Sequence, residues 1–389
     1  MTELQQLINE LCPNGVKFVA LEECCKILDN KRKPVTKAAR QAGEYPYYGA
    51  NGIQDYVSDY IFDGIFVLVG EDGSVVTPSG NPVVNWATGK IWVNNHAHII
   101  EEKDGVLLRY LYHYLQTVNV SALIHGNIPK LTGGDFRAIK VPVPPLPVQS
   151  EIVRILDNFT ELTAELTAEL TARKQQYAHY RDTLLKLDNN VPSYTLKDIC
   201  LSIADGDHMP PPKADSGVPF ITISNITETR QIDFSNVMYV PREYYDKLAD
   251  KRKAKRDDIL YTVVGSFGIP VHISNKTEFV FQRHIAILRP NQQMIVPRYM
   301  YHIMQSTEFY KQADKAAKGA AQRTIGLSSL GNMTIPLPSI EEQKRIVAIL
   351  DRFDTLCNDI SAGLPAEIEA RQKQYEYYRD KLLTFEPAK

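Results

Sequence analysis

Five short stretches carry side chains suited to holding a polyanion or reading a polar edge. Lys251-Arg252-Lys253-Ala254-Lys255-Arg256 puts five cations in six residues. Arg252, Lys253 and Lys255 are its candidate phosphate contacts, although a basic run is often only a solvated loop. Lys318-Gly319-Ala320-Ala321-Gln322-Arg323-Thr324 adds two forked side chains, Gln322 and Arg323, that can bridge base edges, with Lys318 and Thr324 beside them. Nearer the start, Lys31, Arg32 and Lys33 form a basic loop. Tyr45 to Gly52 mixes aromatics with an Asn51-Gly52 turn, and Tyr48 and Asn51 are its candidates for contact, although tyrosines in such a run are more often core or turn packing. His125-Gly126-Asn127-Ile128-Pro129-Lys130 is a polar loop that offers His125, Asn127 and Lys130.

Catalytic patterns are missing. Asn81-Pro82-Val83-Val84 lacks the second proline and the aromatic with which an adenine methyltransferase holds a flipped base. No GxGxxG follows a strand. Gly89-Lys90 has Val84 where a phosphate-binding loop needs glycine, and Ile91 follows it. His96 and His98 could suggest a metal nuclease, but no carboxylate cluster accompanies them in sequence. No metal site is therefore expected. The five cysteines form no CxxC pair, which fits a reducing cytoplasm. The N-terminus lacks the basic start of a secretory signal, and no apolar run spans a bilayer. The net charge of −2 counts against a polyanion binder only weakly, because local clusters matter more than the sum.

The elements that must position these loops occur twice. VPVPPLPVQSEIVRILDNF (141–159) aligns on IPLPSIEEQKRIVAILDRF (335–353) with nine identities in 19. RKQQYAHYRDTLL (173–185) aligns on RQKQYEYYRDKLL (371–383) with eight in 13. RYLYHYLQ (109–116) matches RYMYHIMQ (298–305), FDGIFVLVGEDG (62–73) resembles DDILYTVVGSFG (257–268), and VNNHAHII (93–100) resembles FQRHIAIL (281–288). The chain reads as variable unit, helical connector, variable unit, helical connector.

The connectors are helical by period. Ile152, Leu156, Phe159, Leu166, Leu170, Tyr177 and Tyr180 recur at steps of three and four in the first, and Ile346, Leu350, Phe353, Tyr375 and Tyr378 in the second. Their apolar stripes need partners, and each other is the obvious one. Residues 148–187 are expected as one helix, whereas Gly363-Leu364-Pro365 should break the second connector in two. The variable units hold short β-rich runs at Ile65–Val69, Ile91–Val93, Phe220–Ile223, Ile259–Val264 and Ile285–Leu288, plus one helix each near 105–118 and 297–314. An N-terminal stub resembling the end of a connector suggests a circular repeat whose ends meet.

The two PxP…Q…ILDxF blocks, the two QYxxYRDxLL helix ends and the GANGI and NNHAHII strings resemble the specificity (S) subunits of Type I restriction-modification systems. The resemblance implies an α+β chain: two α/β target-recognition domains separated by two long helical connectors that form an antiparallel coiled coil, with a pseudo-two-fold repeat. It divides the chain into a connector stub (1–16), a first target-recognition domain (17–140), a first connector (141–190), a second target-recognition domain (191–334) and a second connector (335–389). It implies a non-catalytic, cytoplasmic reader of a bipartite, asymmetric target in double-stranded DNA. Partners would be two methyltransferase (M) subunits, with restriction (R) subunits as a further possibility. S-adenosylmethionine would be held by the M subunit and no cofactor by this chain. The chain departs from the family pattern at 160–170, where TELTAELTAEL replaces the Gly-Leu-Pro break. Two other readings are a coiled-coil scaffold that does not touch DNA and a stand-alone nuclease with fused recognition domains. The missing catalytic clusters oppose the nuclease, and two polar-looped variable units oppose the scaffold.

Overall fold

The computed structural model describes residues 3–73, 75–188, 190–206, 211–320, 322–359 and 361–389. It contains two compact units, Met1–Ala164 with Glu369–Lys389, and Glu165–Ile368.

In the first unit, strand Phe62–Gly70 pairs antiparallel with Val84–Val93 on one side and Ala97–Glu101 on the other. Strand alternation divides its apolar run between two cores. Val67 and Val69 join Leu111, Leu115 and Ile152 on one face, while Phe66 and Leu68 join Ile91, Val93 and Ile99 on the other. A hairpin of Ala42–Gly49 and Gly52–Val57 extends the sheet by parallel pairing of Tyr47 with Trp92. The second unit repeats the order Lys26–Ile27, Ala97–Glu101, Phe62–Gly70, Val84–Val93 as Cys200–Asp205, Ile285–Pro290, Ile259–Thr262 and Pro270–His272. In place of the hairpin it builds a separate sheet from Met238–Val240, Val218–Ile221 and Val280–Phe281.

The strand ladders correct one alignment. Val69 pairs with His98 and Tyr261 with Ala286. With His98 equivalent to Ala286, Val69 corresponds to Tyr261, three residues from where matching the glycines of GEDG and GSFG puts it. Two expected strands are also shorter. Thr222 turns the chain into a 3-10 turn, Ile223–Asn225, and the strand from Ile259 ends at Thr262. The expectation of one helix per unit fails as well. The first holds Leu108–Leu115 and Gly133–Ala138 among others, and the second splits 297–314 into Pro297–Ile303 and Thr307–Ala316. Ser306 starts the latter helix by accepting a hydrogen bond from the Phe309 amide.

The first connector is one helix, Leu146–Leu184. The second is two, Ile340–Asn358 and Leu364–Leu382. At the break, a Cβ on Gly363 would sit 2.5 Å from the Thr355 carbonyl oxygen, so only glycine fits. In the second unit Tyr177 and Tyr180 stack on Phe353, and Lys174 lies near Cys357. One helix therefore runs against the other. In the first unit Phe159 stacks on Tyr378. Ile152, Leu156, Ile346 and Leu350 are fully buried, Leu166 and Leu170 are half-buried, and Tyr180 and Tyr378 keep one face in solvent. The chain ends meet in the first unit: the Val16 amide donates to the Glu386 carbonyl (2.8 Å) and the Ala388 amide to the Val16 carbonyl (2.9 Å).

The identities shared by the two halves are explained by two polar clamps. His302 lies between the Asp351 carboxylate (Nε2, 2.7 Å) and the Tyr177 hydroxyl (Nδ1, 2.8 Å). His113 lies between Asp157 (2.8 Å) and Tyr375 (3.0 Å) in the same way. Arg298 and Arg109 close the ion pairs to Asp351 and Asp157. Each histidine comes from a variable unit's helix, its aspartate from the connector that follows, and its tyrosine from the end of the other connector. Gln149 and Gln343, both fully buried, do similar work. Each accepts from one backbone amide (Leu107 or Val296) and donates to two carbonyls (Gly105 and Pro144, or Met294 and Pro338).

Burial holds His113 and His302 below the ordinary histidine value, more than their aspartates raise them. A depressed histidine contributes stability above its unfolded pKa, about 6.5, and loses it as pH falls through the folded value. The melting temperature should therefore drop between pH 7 and pH 5. The double variant His113→Gln, His302→Gln should flatten that slope; an unchanged slope in thermal melts would rule the clamps out as its cause.

Candidate nucleic-acid interface

In the first unit three backbone hydrogen bonds gather loops at one end of the sheet. Glu71 N donates to His96 O (2.8 Å), Leu131 N to Glu71 O (2.8 Å) and Gly73 N to Pro129 O (2.9 Å). The same three recur in the second unit as Val263 N to His284 O (2.8 Å), Ile325 N to Val263 O (2.8 Å) and Gly265 N to Arg323 O (3.0 Å). One frame thus presents two sets of side chains. Asn95, His96 and Lys130 stand where Arg283, His284 and Thr324 stand in the other unit.

The frame brings the first unit's candidates together. Lys33 N donates to Val93 O, and Asn94 N to Tyr48 O, which ties the basic loop and the Asn51 turn to the same strand end. Lys31, Lys33, Asn51, His125, Asn127 and Lys130 are exposed there. Tyr48 is buried in the sheet and presents no ring to solvent. His96 is held by Asp72, and His125 lies 3.7 Å from Asp135.

Arg32 is not a surface cation. Its guanidinium donates to Glu71 (2.5 Å) and to the Ala97 carbonyl (2.7 Å), and lies 3.6 Å from Asp29. The sequence reading also missed the carboxylates around His98. Asp29, Glu71 and His98 place ligand atoms within 4.8 Å of one another, close enough to hold a metal ion. Cationic side chains fill that role: Arg32, and Lys130 at 3.1 Å from Glu71. His98 itself is fully buried, with Nδ1 2.7 Å from Asp29, Nε2 3.0 Å from the Leu131 carbonyl and its ring stacked on Phe136. Burial disfavours the ionised forms of Asp29 and Glu71. Hydrogen bonds from His98 to Asp29 and from Arg32 to Glu71 outweigh it and hold both carboxyls below their ordinary values.

In the second unit most cations have intramolecular work. Arg252 lies 3.6 Å from Asp205. Lys253 donates to the Asp246 carbonyl and lies over the Tyr245 ring, and Lys255 pairs with Asp250 at 2.8 Å. This run reads as a braced loop more than as a phosphate strip. Arg323 pairs with Asp314 (2.6 Å) and lies over Phe267. Thr324 pairs with Lys318 through the backbone in both directions, leaving Lys318 and Gln322 exposed; Ala321 between them is outside the described residues. Arg283, exposed on the turn between Phe281 and Ile285, was missed. Its only sequence signal is its place in FQRHIAIL, opposite Asn95.

The family profile of the Type I restriction modification DNA specificity domain matches residues 13–173 and 189–370. The chain belongs to that family. A Haemophilus influenzae protein named as a type I restriction enzyme specificity subunit is 38% identical over 386 residues, covering 95% of this chain and 96% of that one. The EcoR124I/EcoR124II specificity subunit of Escherichia coli is 37% identical over 307 residues, 73% of this chain and 72% of its own. The crystal structure of the S subunit from M. genitalium shares the fold, with a TM-score of 0.58 at 15% identity over 95% of this chain and 96% of that one. As a Type I specificity subunit, the chain is the DNA-sequence recognition component of a restriction-modification complex and is non-catalytic on its own. No helix among its described residues is long and apolar enough to cross a membrane.

Proposed function

We propose that this specificity subunit reads a bipartite, asymmetric target in double-stranded DNA, one half-site with residues 17–140 and the other with 191–334. The repeated backbone frame carrying unlike side chains supports this most directly. Equivalent backbone bonds hold the loops alike, and Asn95 and Lys130 against Arg283 and Thr324 offer different hydrogen-bonding patterns to base edges. Lys31, Lys33, Asn51, His125, Asn127, Lys130, Lys318 and Gln322 are the proposed DNA-facing side chains.

The half-exposed stripes of the connectors suit docking of two M subunits, whose S-adenosylmethionine would supply the methyl group, and R subunits can add to that assembly. The free cysteines fit work in the cytoplasm. Methylation mapping in cells that carry the subunit with its M partner should return one motif of two unlike halves around an unread spacer. The purified chain alone should transfer no labelled methyl group to DNA. Incorporation without M, or a motif of a single uninterrupted block, would overturn the reading.

A further inference from the structure

We propose that Arg283 reads a base pair in the second half-site, as a two-pronged donor to O6 and N7 of a guanine in the major groove. This rests on the reading above that residues 191–334 recognise DNA.

The mount is rigid. Ile285 N donates to Gln282 O (3.0 Å) to close the turn, while Gln282 N is held by Ile221 O (2.9 Å) and His284 O by Val263 N (2.8 Å). Gly206 packs so closely behind it that a Cβ there would lie 1.9 Å from the Phe281 carbonyl oxygen. A side chain on such a fixed backbone loses less freedom on binding.

The side chain on that mount is uncommitted. Of the arginines on the loops at this end of the second unit, Arg252 is paired with Asp205 and Arg323 with Asp314. Arg283 is exposed and has no hydrogen-bond or ion-pair partner among the described residues. Arg323, the more obvious candidate from sequence, would first have to leave a carboxylate 2.6 Å away. Arg283 requires no such exchange. Lys318, exposed on the neighbouring hairpin, is suited to a phosphate as a point charge.

The position also fits a specificity role. Arg283 and Asn95 occupy equivalent places in the two frames. The fork of an arginine suits guanine and the amide of an asparagine suits adenine, so one site on a shared scaffold would give two half-sites different letters.

The test uses the complex of this chain with its M subunit and maps the methylated motif for wild type, Arg283→Asn, Arg283→Lys and Arg323→Ala. Both Arg283 variants should lose the guanine preference at one position of the second half-site by about 5- to 150-fold and leave the first half-site unchanged. Arg323→Ala should keep the motif. If Arg283→Lys retains the wild-type motif and rate, Arg283 is a phosphate contact and the proposal fails. It also fails if Arg283→Asn methylates the same motif as wild type. A wild-type complex that yields no second half-site would instead remove the reading beneath the proposal.

Discussion

Excision of Thr167–Leu170 should shorten the unread spacer of the target by one or two base pairs and leave both half-sites intact. The segment lies within the uninterrupted helix Leu146–Leu184 and duplicates Thr163–Leu166. Removing one copy preserves helical character, because alanine, glutamate and leucine are strong helix formers. The side-chain bonds carry over as well. Thr163 Oγ1 donates to the Phe159 carbonyl and Thr171 Oγ1 to the Thr167 carbonyl. After excision Thr171 takes the place of Thr167, with the Thr163 carbonyl four residues behind it. Four residues are about 6 Å of helix. A base pair rises about 3.4 Å, so two base pairs is the upper limit, and an inclined helix gives one. The change also rotates the helix by about 40°, since a turn takes 3.6 residues. The Gly363 break gives the second connector a place to yield. Methylation mapping of the excised variant decides the matter: retained activity with an unchanged spacer would show that this helix does not set the distance.

Arg32→Met should destabilise the first unit by about 3–5 kcal/mol, because it leaves two enclosed carboxylates without their guanidinium. For a unit of this size that is a melting-point loss on the order of 10 °C. A DNA contact would behave oppositely, weakening binding with little change in melting. The pH dependence separates the two further. In the wild type, Asp29 and Glu71 titrate below their ordinary values of 3.8 and 4.5. Their stabilisation is therefore present above that range and lost as pH falls through the lowered folded values. Without Arg32 the carboxyls are easier to protonate, so the variant's deficit should be greatest near pH 7 and shrink below pH 4.5. A variant that melts like wild type at pH 7 while binding DNA more weakly would return Arg32 to the interface.

The elements with local signals were legible in the sequence. Heptad-like spacing and strong helix formers announce the first connector, and Gly363-Leu364-Pro365 announces the break. The duplicated blocks announce the repeat. Features assembled from distant segments were not legible. Arg32 looks like one of three loop cations, and nothing nearby says that Glu71 and His98 will enclose it. The His–Asp–Tyr clamps draw on three separate stretches, so their residues looked like apolar seam or unremarkable identities. Matching glycines misaligned the central strand because GEDG and GSFG share letters, whereas hydrogen-bond register follows pleat and pairing. The split at Ser306 did have a local signal, a serine three residues before Phe309 at a helix start, which the repeat of RYMYHIMQ obscured.

The clamps also bear on synthesis. His302 meets a tyrosine 125 residues earlier in the chain, so the second unit's clamp has all its parts once Asp351 is made. His113 waits for Tyr375, 262 residues later. At roughly 5–20 residues per second, the ribosome needs about 13–50 s to bring that tyrosine out. During that interval the first unit must hold a buried histidine without its hydroxyl partner and a core without its last helix. Of two nearly equivalent halves, the one translated first is completed last.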